Sequence, residues 1–160
     1  MKDIDLETCS ATLGNAVELS KLVGKTFFDA YDRVGESRPD SLIHDYIEKN
    51  FNSNNIRSEI ECDSVEIWVS KFEDRYVGYF KVDQKAPPKF VPYRNLLHLD
   101  RIYLDKNFQS QGIGKYYLRK CFEISKHQGL DGIWLMVWKE NKNGVRFYER
   151  EGFQRNGEIT

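Results

Sequence analysis

The stretch LLHLDRIYLDKNFQSQGIGK at residues 96–115 predicts an apolar strand, a short polar turn and a helix start in immediate succession. Gly112 and Gly114 remove side chains where the helix begins, so a ligand can approach the backbone there. The first N–H groups of a helix have no partner inside the helix, and a phosphate or pyrophosphate can accept hydrogen bonds from them. The stretch therefore predicts an anion-binding site.

The spacing of these glycines excludes two common nucleotide-binding loops. In a P-loop the lysine is followed by Ser or Thr, whereas Lys115 is followed by Tyr116. The dinucleotide-binding fingerprint GxGxxG needs a third glycine, and this chain has Tyr117 at that position. The pattern that remains is QxxGxG at residues 109–114.

A second pattern, NKNGVRFYEREGF, follows at residues 141–153. A helical stretch at 112–127 and an apolar run at 133–138 lie between the two. This order resembles the GNAT superfamily of acetyl-CoA-dependent N-acyltransferases, in which Q/R-x-x-G-x-G/A precedes N-x-x-A-x-x-F-Y-x-x-x-G-F. The resemblance extends over about residues 96–153.

The composition predicts a single domain over residues 1–160. The chain is 40% hydrophobic and 14% aromatic, and its length suffices for one buried core but not for two ordinary domains. Its 24 basic and 25 acidic residues are interspersed, which argues against binding to nucleic acid or to an anionic membrane. The acidic start MKDIDLETC does not resemble a signal peptide, and no apolar run is long enough to span a bilayer, so we expect a cytoplasmic protein.

The three cysteines, Cys9, Cys62 and Cys121, are widely spaced and form no CxxC pair. This spacing predicts reduced thiols and argues against a disulfide framework or a zinc site, so no metal is expected. Cys121 lies on the apolar stripe of the helix predicted at 112–127 and is expected in the core.

Hydrophobic periodicity predicts the remaining elements. They are a strand at 4–10, helices at 15–31, 42–51 and 56–62, a hairpin of strands 65–71 and 76–83, a proline-rich loop at 84–95, and strands at 96–104 and 133–138. Gly78 is expected at a bulge or a close approach. The last strand lacks alternation, so we expect it to be buried on both faces and parallel to the strand at 96–104.

The resemblance implies an α/β fold with a mixed, mostly antiparallel twisted sheet and helices on both faces. The strands at 96–104 and 133–138 would splay where acetyl-CoA inserts. After Gly152 the sequence has room for one short strand, whereas the family generally continues through a further hairpin strand that walls the acceptor site. The sheet is therefore expected to be truncated there, and either that wall is missing or the second subunit of a homodimer supplies it.

The resemblance also implies residues that bind acetyl-CoA, the expected cosubstrate. A splayed strand leaves N–H and C=O groups without partners, so the backbone of Ile102, Tyr103 and Leu104 would bind the pantetheine arm. The pyrophosphate would be bound by the loop residues Gln109, Ser110, Gln111, Gly112, Ile113, Gly114 and Lys115. Asn141 would cap the helix that follows it and hydrogen-bond to the cosubstrate.

Acetyl transfer needs a base, because an amine with a pKa near ~10.4 is mostly protonated at neutral pH. Asp100 is the candidate base, because polyamine-acetylating members of the family often have a carboxylate at this position. The alternative is that Asp100 pairs with a nearby cation and water relays the proton. His98, on the same strand face, is expected to be a hydrogen-bonded core residue.

Tyr148 is the candidate proton donor to the leaving thiolate, by its match to the family motif. Its hydroxyl has an ordinary pKa of ~10 against ~8.5 for a thiol, so donation is feasible. The alternative is a packing residue beside Phe147. Gly144 departs from the alanine of the family, at a cost of roughly 1 kcal/mol in a helix unless close packing against the cosubstrate requires it.

These residues predict an acetyl-CoA-dependent N-acetyltransferase that acts by direct attack in a ternary complex. The chain resembles the bacterial diamine and polyamine branch of the family, so a polyamine or another small amine is the expected acceptor. Asp29, Asp32 and Glu36 would attract such a polycation. The alternatives are acetylation of a protein N-terminus or lysine, with the loop at 84–95 binding the peptide backbone, and a catalytically silent acyl-CoA-binding module.

Overall fold

The computed structural model of the protein describes residues 6–34 and 39–159. The strands are β1 (Glu7–Ser10), β2 (Val65–Phe72), β3 (Arg75–Asp83), β4 (Leu97–Leu104) and β5 (Ile133–Trp134). The helices are α1 (Ala16–Val34), α2 (Asp40–Asn50), α3 (Ser53–Glu61), α4 (Ile113–His127) and α5 (Lys142–Arg150), with short 3-10 turns at Leu13–Asn15 and Lys106–Phe108.

The five strands form one sheet in sequence order. The pairs β1–β2, β2–β3 and β3–β4 are antiparallel, and β4–β5 is parallel. The parallel pair is connected through α4, because a tight turn cannot join parallel strands. The predicted mixed, mostly antiparallel sheet is confirmed.

Helices cover both faces of this sheet. On one face α4 packs Tyr117, Leu118 and Cys121 against the sheet residues Phe80 and Leu99. On the other face the core consists of residues from α1, α3, β2 and β3, namely Ala16, Leu19, Leu22, Val23, Ile56, Ile67, Val69 and Tyr79. The predicted core position of Cys121 is confirmed, and burial raises the pKa of its thiol to about 12.

Gly78 lies where α4 approaches the hairpin most closely. The pairing of β2 and β3 shifts register between Ser70 and Lys71, opposite Gly78. A Cβ atom on Gly78 would lie 2.4 Å from the hydroxyl oxygen of Tyr117, which donates a hydrogen bond to Ser70 Oγ at 2.7 Å. Ser70 Oγ lies 2.8 Å from Thr8 Oγ1 in β1. Gly78 is therefore both at a bulge and at a close approach, as predicted.

The strand predicted at 133–138 is wrong in its length and its burial. Only Ile133 and Trp134 pair with β4. Beyond them Met136 is 55% and Trp138 41% exposed. The reason is that β4 and β5 part after two residue pairs, and no other strand of the described residues pairs with the outer edge of β5. Residues 153–159 contain no strand.

The other predicted boundaries differ by a few residues. α1 continues to Val34, and α2 and α3 begin two or three residues earlier than their apolar patterns do. Residues 4 and 5 of the predicted first strand lie outside the described part of the chain, as do Glu36 and the side chain of Asp32. No helix in the described ranges has the length and apolar character needed to cross a bilayer.

Candidate active site

The sheet opens between β4 and β5. β4 continues for six residues beyond the pair that its His98 forms with Trp134. Along this part the β4 edge that faces away from β3 has no strand beside it within the described residues. Backbone N–H and C=O groups need partners when they are buried. The edge at Ile102, Tyr103 and Leu104 can therefore pair with an amide-bearing ligand.

The loop after β4 brings the start of α4 next to this opening. Gln109 Nε2 donates to the carbonyl of Leu104 at 3.0 Å and so holds the loop against the strand. The backbone reverses through residues with positive φ, 62° at Ser110 and 82° at Gly112, the residue that caps α4. Because L-residues rarely adopt such angles, glycine is favoured at position 112.

The amides at the start of α4 point out of the helix end. The N–H of Tyr116 bonds to the carbonyl of Gly112 at 3.1 Å. The preceding amides, those of Ile113, Gly114 and Lys115, belong to the first turn, where the helix itself supplies no acceptor. An anion placed here would also be stabilised by the helix dipole.

α5 packs directly on the first turn of α4. A Cβ atom on Gly114 would lie 3.1 Å from Cζ of Phe147, so the two helices touch through a glycine. Asn141 caps α5 and accepts a hydrogen bond from the Gly144 amide at 3.0 Å, as predicted. A Cβ atom on Gly144 would lie 2.6 Å from Asn141 Nδ2. A side chain at position 144 would therefore have to displace the capping amide of Asn141.

Tyr148 on α5 lines a cavity together with Trp138 and other residues that follow β5. Its ring contacts Phe147 at 5.2 Å and Phe153 at 5.6 Å between centroids. Burial, with smaller effects from the nearby Tyr103 and Cys121, raises the pKa of its hydroxyl. Tyr148 therefore keeps its proton well above neutral pH.

Asp100 lies in β4 at a bulge opposite Lys81 and Val82. Lys81 Nζ is 3.0 Å and Arg101 Nε 3.6 Å from its carboxylate. Burial alone would raise the pKa of Asp100, but the hydrogen bond and charge of Lys81 and the charge of Arg101 outweigh it and hold the pKa below its ordinary value. Asp100 is thus paired with cations, which is the arrangement assumed in the water-relay alternative.

His98 is the hydrogen-bonded core histidine that the sequence predicts. It is 3% exposed, and its Nδ1 lies 2.7 Å from an Asp83 carboxylate oxygen. Its ring stacks on Trp134 with centroids 4.1 Å apart. One ligand atom from each of Asp83, His98 and Asp100 falls within 4.8 Å of the other two. Lys81 already contributes a positive charge beside this group, so we assign no metal to it.

A sequence model of the acetyltransferase (GNAT) family matches residues 27–153. The chain belongs to this family. It is an acetyl-CoA-dependent N-acetyltransferase, and the predicted family, activity and cosubstrate are confirmed. The geometry fits acetyl-CoA, because an open strand edge suits its amide-bearing arm and the first amides of α4 suit its pyrophosphate.

Three known proteins illustrate the similarity. An uncharacterized N-acetyltransferase in the pepI 3' region of Lactobacillus delbrueckii subsp. lactis is 28% identical over 134 residues, 84% of this chain and 76% of that protein. The spermine/spermidine N(1)-acetyltransferase of Bacillus subtilis (strain 168) is 34% identical over 62 residues, 38% of this chain and 41% of that enzyme. The crystal structure of PaiA N-acetyltransferase from Thermoplasma acidophilum in complex with coenzyme A has a TM-score of 0.80 at 19% identity, with 94% of this chain and 90% of that chain covered.

The structure also brings together residues of this acetyltransferase that the sequence did not single out. Lys81 and Arg101 form ion pairs with Asp100, and both also form ion pairs with Glu59. Tyr31 of α1 contacts Trp138, with ring centroids 5.7 Å apart. In the sequence, this ion-pair cluster was indicated by Lys81, which lies on the alternating strand YFKVD. A charged side chain at a half-buried strand position requires a partner.

Proposed function

We propose that this acetyltransferase transfers the acetyl group to a primary amine of a polyamine or another small amine, by direct attack in a ternary complex. The observation that carries the proposal is the parting of β4 and β5 directly beside the glycine-capped start of α4. The partial similarity to a spermine/spermidine acetyltransferase supports this class of acceptor. The three carboxylates Glu59, Asp83 and Asp100 near β4 also favour a cationic acceptor.

We propose binding roles for the residues around the opening. The backbone of Ile102, Tyr103 and Leu104 binds the pantetheine arm, and Asn141 contributes a further hydrogen bond. The pyrophosphate is bound by the loop and the first turn of α4, that is by Gln109, Ser110, Gln111, Gly112, Ile113, Gly114 and Lys115. Positive backbone angles at positions 110 and 112 and the outward amides of the first turn support this assignment.

Two residues move protons in the proposed reaction. The acetyl-CoA thioester supplies the acetyl group, a new C–N bond forms and the C–S bond breaks. Tyr148 donates its proton to the leaving sulfur, and the phenolate regains a proton from solvent. The attacking amine gives up its proton to Asp100 or, because Asp100 is paired with Lys81, to a water that Asp100 orients. The pH dependence of kcat/KM in wild type and Asp100→Asn distinguishes these two routes.

The binding role of the loop is tested by Gly112→Glu, which places a side chain and a negative charge where the pyrophosphate would bind. Coenzyme A affinity, measured by calorimetry, should fall at least about tenfold, the factor that corresponds to roughly 1.4 kcal/mol. Gly129→Glu is the matched control, since Gly129 also has a positive φ, of 72°, but lies at the opposite end of α4. Equal affinity in the two folded variants would refute the assignment.

The acceptor is identified by steady-state assays with spermidine, a lysine peptide and an N-terminal peptide. A preference for either peptide would replace the polyamine proposal and leave acetyl transfer intact. We also propose self-association through the open outer edge of β5, where Met136 is exposed. Sedimentation velocity tests it, and a monomer at all concentrations would refute it.

A further inference from the structure

Five aromatic side chains form one connected set of ring contacts. They come from α1, α2 and the segments that follow α2 and β5. Phe27 packs against Tyr31, Tyr46 and Phe51, with ring centroids 4.8, 5.2 and 5.2 Å away. Tyr31 in turn contacts Trp138 at 5.7 Å. We call these five residues, Phe27, Tyr31, Tyr46, Phe51 and Trp138, the aromatic wall.

The aromatic wall leaves much of its surface in water. Tyr46 is 49% and Trp138 41% exposed, and Tyr31 is partly buried. One exposed aromatic side chain is ordinary on a protein surface. Rings from separate elements that pack together and stay open to solvent are less ordinary, and such patches are typical of binding sites. The face of each ring also carries a partial negative charge.

The wall borders the place where we propose that the acetyl group is transferred. The ring of Tyr103, near the end of β4, lies 5.7 Å from the ring of Tyr79 between centroids. The guanidinium of Arg101 lies over both Tyr79 and Phe51 of the wall, so the wall is joined to this part of β4. Trp138 and Tyr148 line the same cavity, which has a volume of about 1050 Å³. Of the five wall residues, Trp138 is the one that lines this cavity, so an acceptor with one amine beside Tyr148 would reach the wall first at Trp138.

The wall already binds one cation of the protein itself. The guanidinium of Arg101 lies over the ring of Phe51, 5.1 Å from its centroid, and over the ring of Tyr79 at 5.8 Å. A hydrogen bond to Glu59 holds it in place. A cation within about 6 Å of an aromatic centroid is attracted by the ring quadrupole. The ring face of Phe51 in the wall thus already accepts a positive charge.

The charged groups behind the wall leave room for a further positive charge. The cluster contains the carboxylates of Glu59, Asp83 and Asp100 and the cations Lys81 and Arg101. It also contains His98, whose Nδ1 lies 2.7 Å from Asp83. Both cations are already engaged, Lys81 with Asp100 at 3.0 Å and Arg101 with Glu59. The excess of negative charge and the ring faces both complement an organic cation and disfavour an anion.

We propose that the aromatic wall binds the second, non-reacting ammonium group of the acceptor over its ring faces and makes the enzyme prefer amines with two or more positive charges. This inference rests on the proposed acetyl transfer to an amine and adds what selects the acceptor. Tyr46 and Trp138 have the most exposed rings and should contribute most. An amine with an uncharged tail gains no attraction of this kind.

The test compares kcat/KM for spermidine with kcat/KM for n-butylamine, which has one charge and an uncharged tail. Their quotient is the selectivity ratio. Trp138→Leu keeps an apolar side chain but removes the ring, so the ratio should fall about tenfold, corresponding to about 1.4 kcal/mol. Trp138→Phe keeps a ring and should lower the ratio by about threefold or less. Tyr46→Leu and Tyr46→Phe form a second, independent pair on α2.

Tyr116→Leu is the matched control. Tyr116 is 36% exposed on α4 and lies outside both the aromatic wall and the cavity that Trp138 and Tyr148 line. It should leave the selectivity ratio unchanged. Thermal unfolding of each variant shows whether it is folded. We expect all variants to fold, because Tyr46 and Trp138 are both exposed.

The outcomes separate this inference from the proposed function. If both Leu variants lower activity on spermidine and n-butylamine by the same factor, or leave the ratio unchanged, the inference is overturned while amine acetylation remains established. If the wild type acetylates no amine, the proposed function fails, and calorimetry with spermidine then tests the wall. Binding weakened about tenfold by Trp138→Leu but not by Tyr116→Leu supports the wall, and equal affinities refute it.

Discussion

The surroundings of Tyr148 and Asp100 shift the pKa values of these two proposed proton-transfer groups in opposite directions. Burial raises the pKa of the Tyr148 hydroxyl, so this group is protonated whenever the enzyme is folded at neutral pH. The cations beside Asp100 lower its pKa, so it is a carboxylate and a weak base. In the proposed reaction Tyr148 would give a proton to the sulfur, although burial makes its hydroxyl a weaker acid than that of free tyrosine. Asp100 would orient the water that takes the proton of the amine.

At the scale of single residues, we predict the effect of Tyr148→Phe. The change removes the hydroxyl and keeps the ring contacts with Phe147 and Phe153. General acid catalysis typically contributes about 10²–10⁴-fold, so kcat should fall by about a hundredfold or more. The KM for acetyl-CoA should change by less than about threefold, because the lost interaction acts in the transition state.

The control for this variant is Tyr116→Phe, an exposed tyrosine on α4. Steady-state kinetics with saturating acetyl-CoA and a good amine acceptor measure both. If Tyr148→Phe raised KM as strongly as it lowered kcat, Tyr148 would be a packing residue of α5, which is the alternative that the sequence leaves open.

At the scale of elements, one contact fixes how close α4 lies to the hairpin. Gly78 allows the Tyr117 hydroxyl to reach Ser70, and Ser70 lies against Thr8 of β1. Three elements are thereby joined through buried hydroxyl groups. A buried hydroxyl left without a partner costs about 1–3 kcal/mol, so this geometry is strongly determined.

We predict that Gly78→Ala lowers the free energy of unfolding by about 1–3 kcal/mol, because a methyl group would lie 2.4 Å from the Tyr117 hydroxyl. In the Tyr117→Phe background the same change should cost less, since the hydroxyl is gone. Urea unfolding of the double-mutant cycle measures the coupling. Gly14→Ala is the control, with its nearest atom at an ordinary 3.6 Å. Strictly additive effects would show that the clash does not occur.

The sequence predicts a helix or strand well where a local pattern is sufficient. It predicts a strand less well where the strand's length depends on whether another strand pairs with it. α4 and the hairpin were predicted within two residues, because their periodicities reflect one core each. The strand at 133–138 was predicted too long, because an apolar run does not reveal whether a strand lies beside it. Met136 and Trp138 are apolar but exposed, because no strand of the described residues pairs with this segment and covers them.

The same distinction applies to the candidate site. The loop at 109–115 and Asn141 follow from motifs, which depend on neighbours in sequence. The pairing of Asp100 with Lys81 depends on the register of β3 against β4, and the contact of Tyr31 with Trp138 joins residues from opposite ends of the chain. Long-range contacts of this kind leave no periodic trace in one sequence.

At the scale of the whole molecule, acid should weaken the fold. The pKa values of Asp100 and Asp105 are both below the ordinary 3.8, because hydrogen bonds and charges from Lys81 and Lys25 outweigh the opposing effect of burial. A carboxylate with a lowered folded-state pKa stabilises the protein above its unfolded-state value. That contribution is lost as the pH falls through the folded-state value.

We therefore predict that the free energy of unfolding, measured with urea at pH values of about 7, 4.5 and 3, decreases toward the lowest pH. Asp100→Asn should be less stable than wild type at neutral pH, and the difference should narrow at about pH 3. Asp45→Asn, on the exposed side of α2, is the control and should show no such convergence. A constant difference between wild type and Asp100→Asn at all three pH values would contradict the prediction.

The unequal exposure of the three tryptophans gives this protein a built-in optical reporter. Trp134 is buried and Trp68 is partly buried against the core, whereas Trp138 stands in water at the rim of the opening. Collisional quenching of indole fluorescence by acrylamide should therefore act mainly on Trp138. A polycation bound over that ring would shield it from the quencher, so occupancy of the acceptor site could be followed by emission intensity, without label and without turnover.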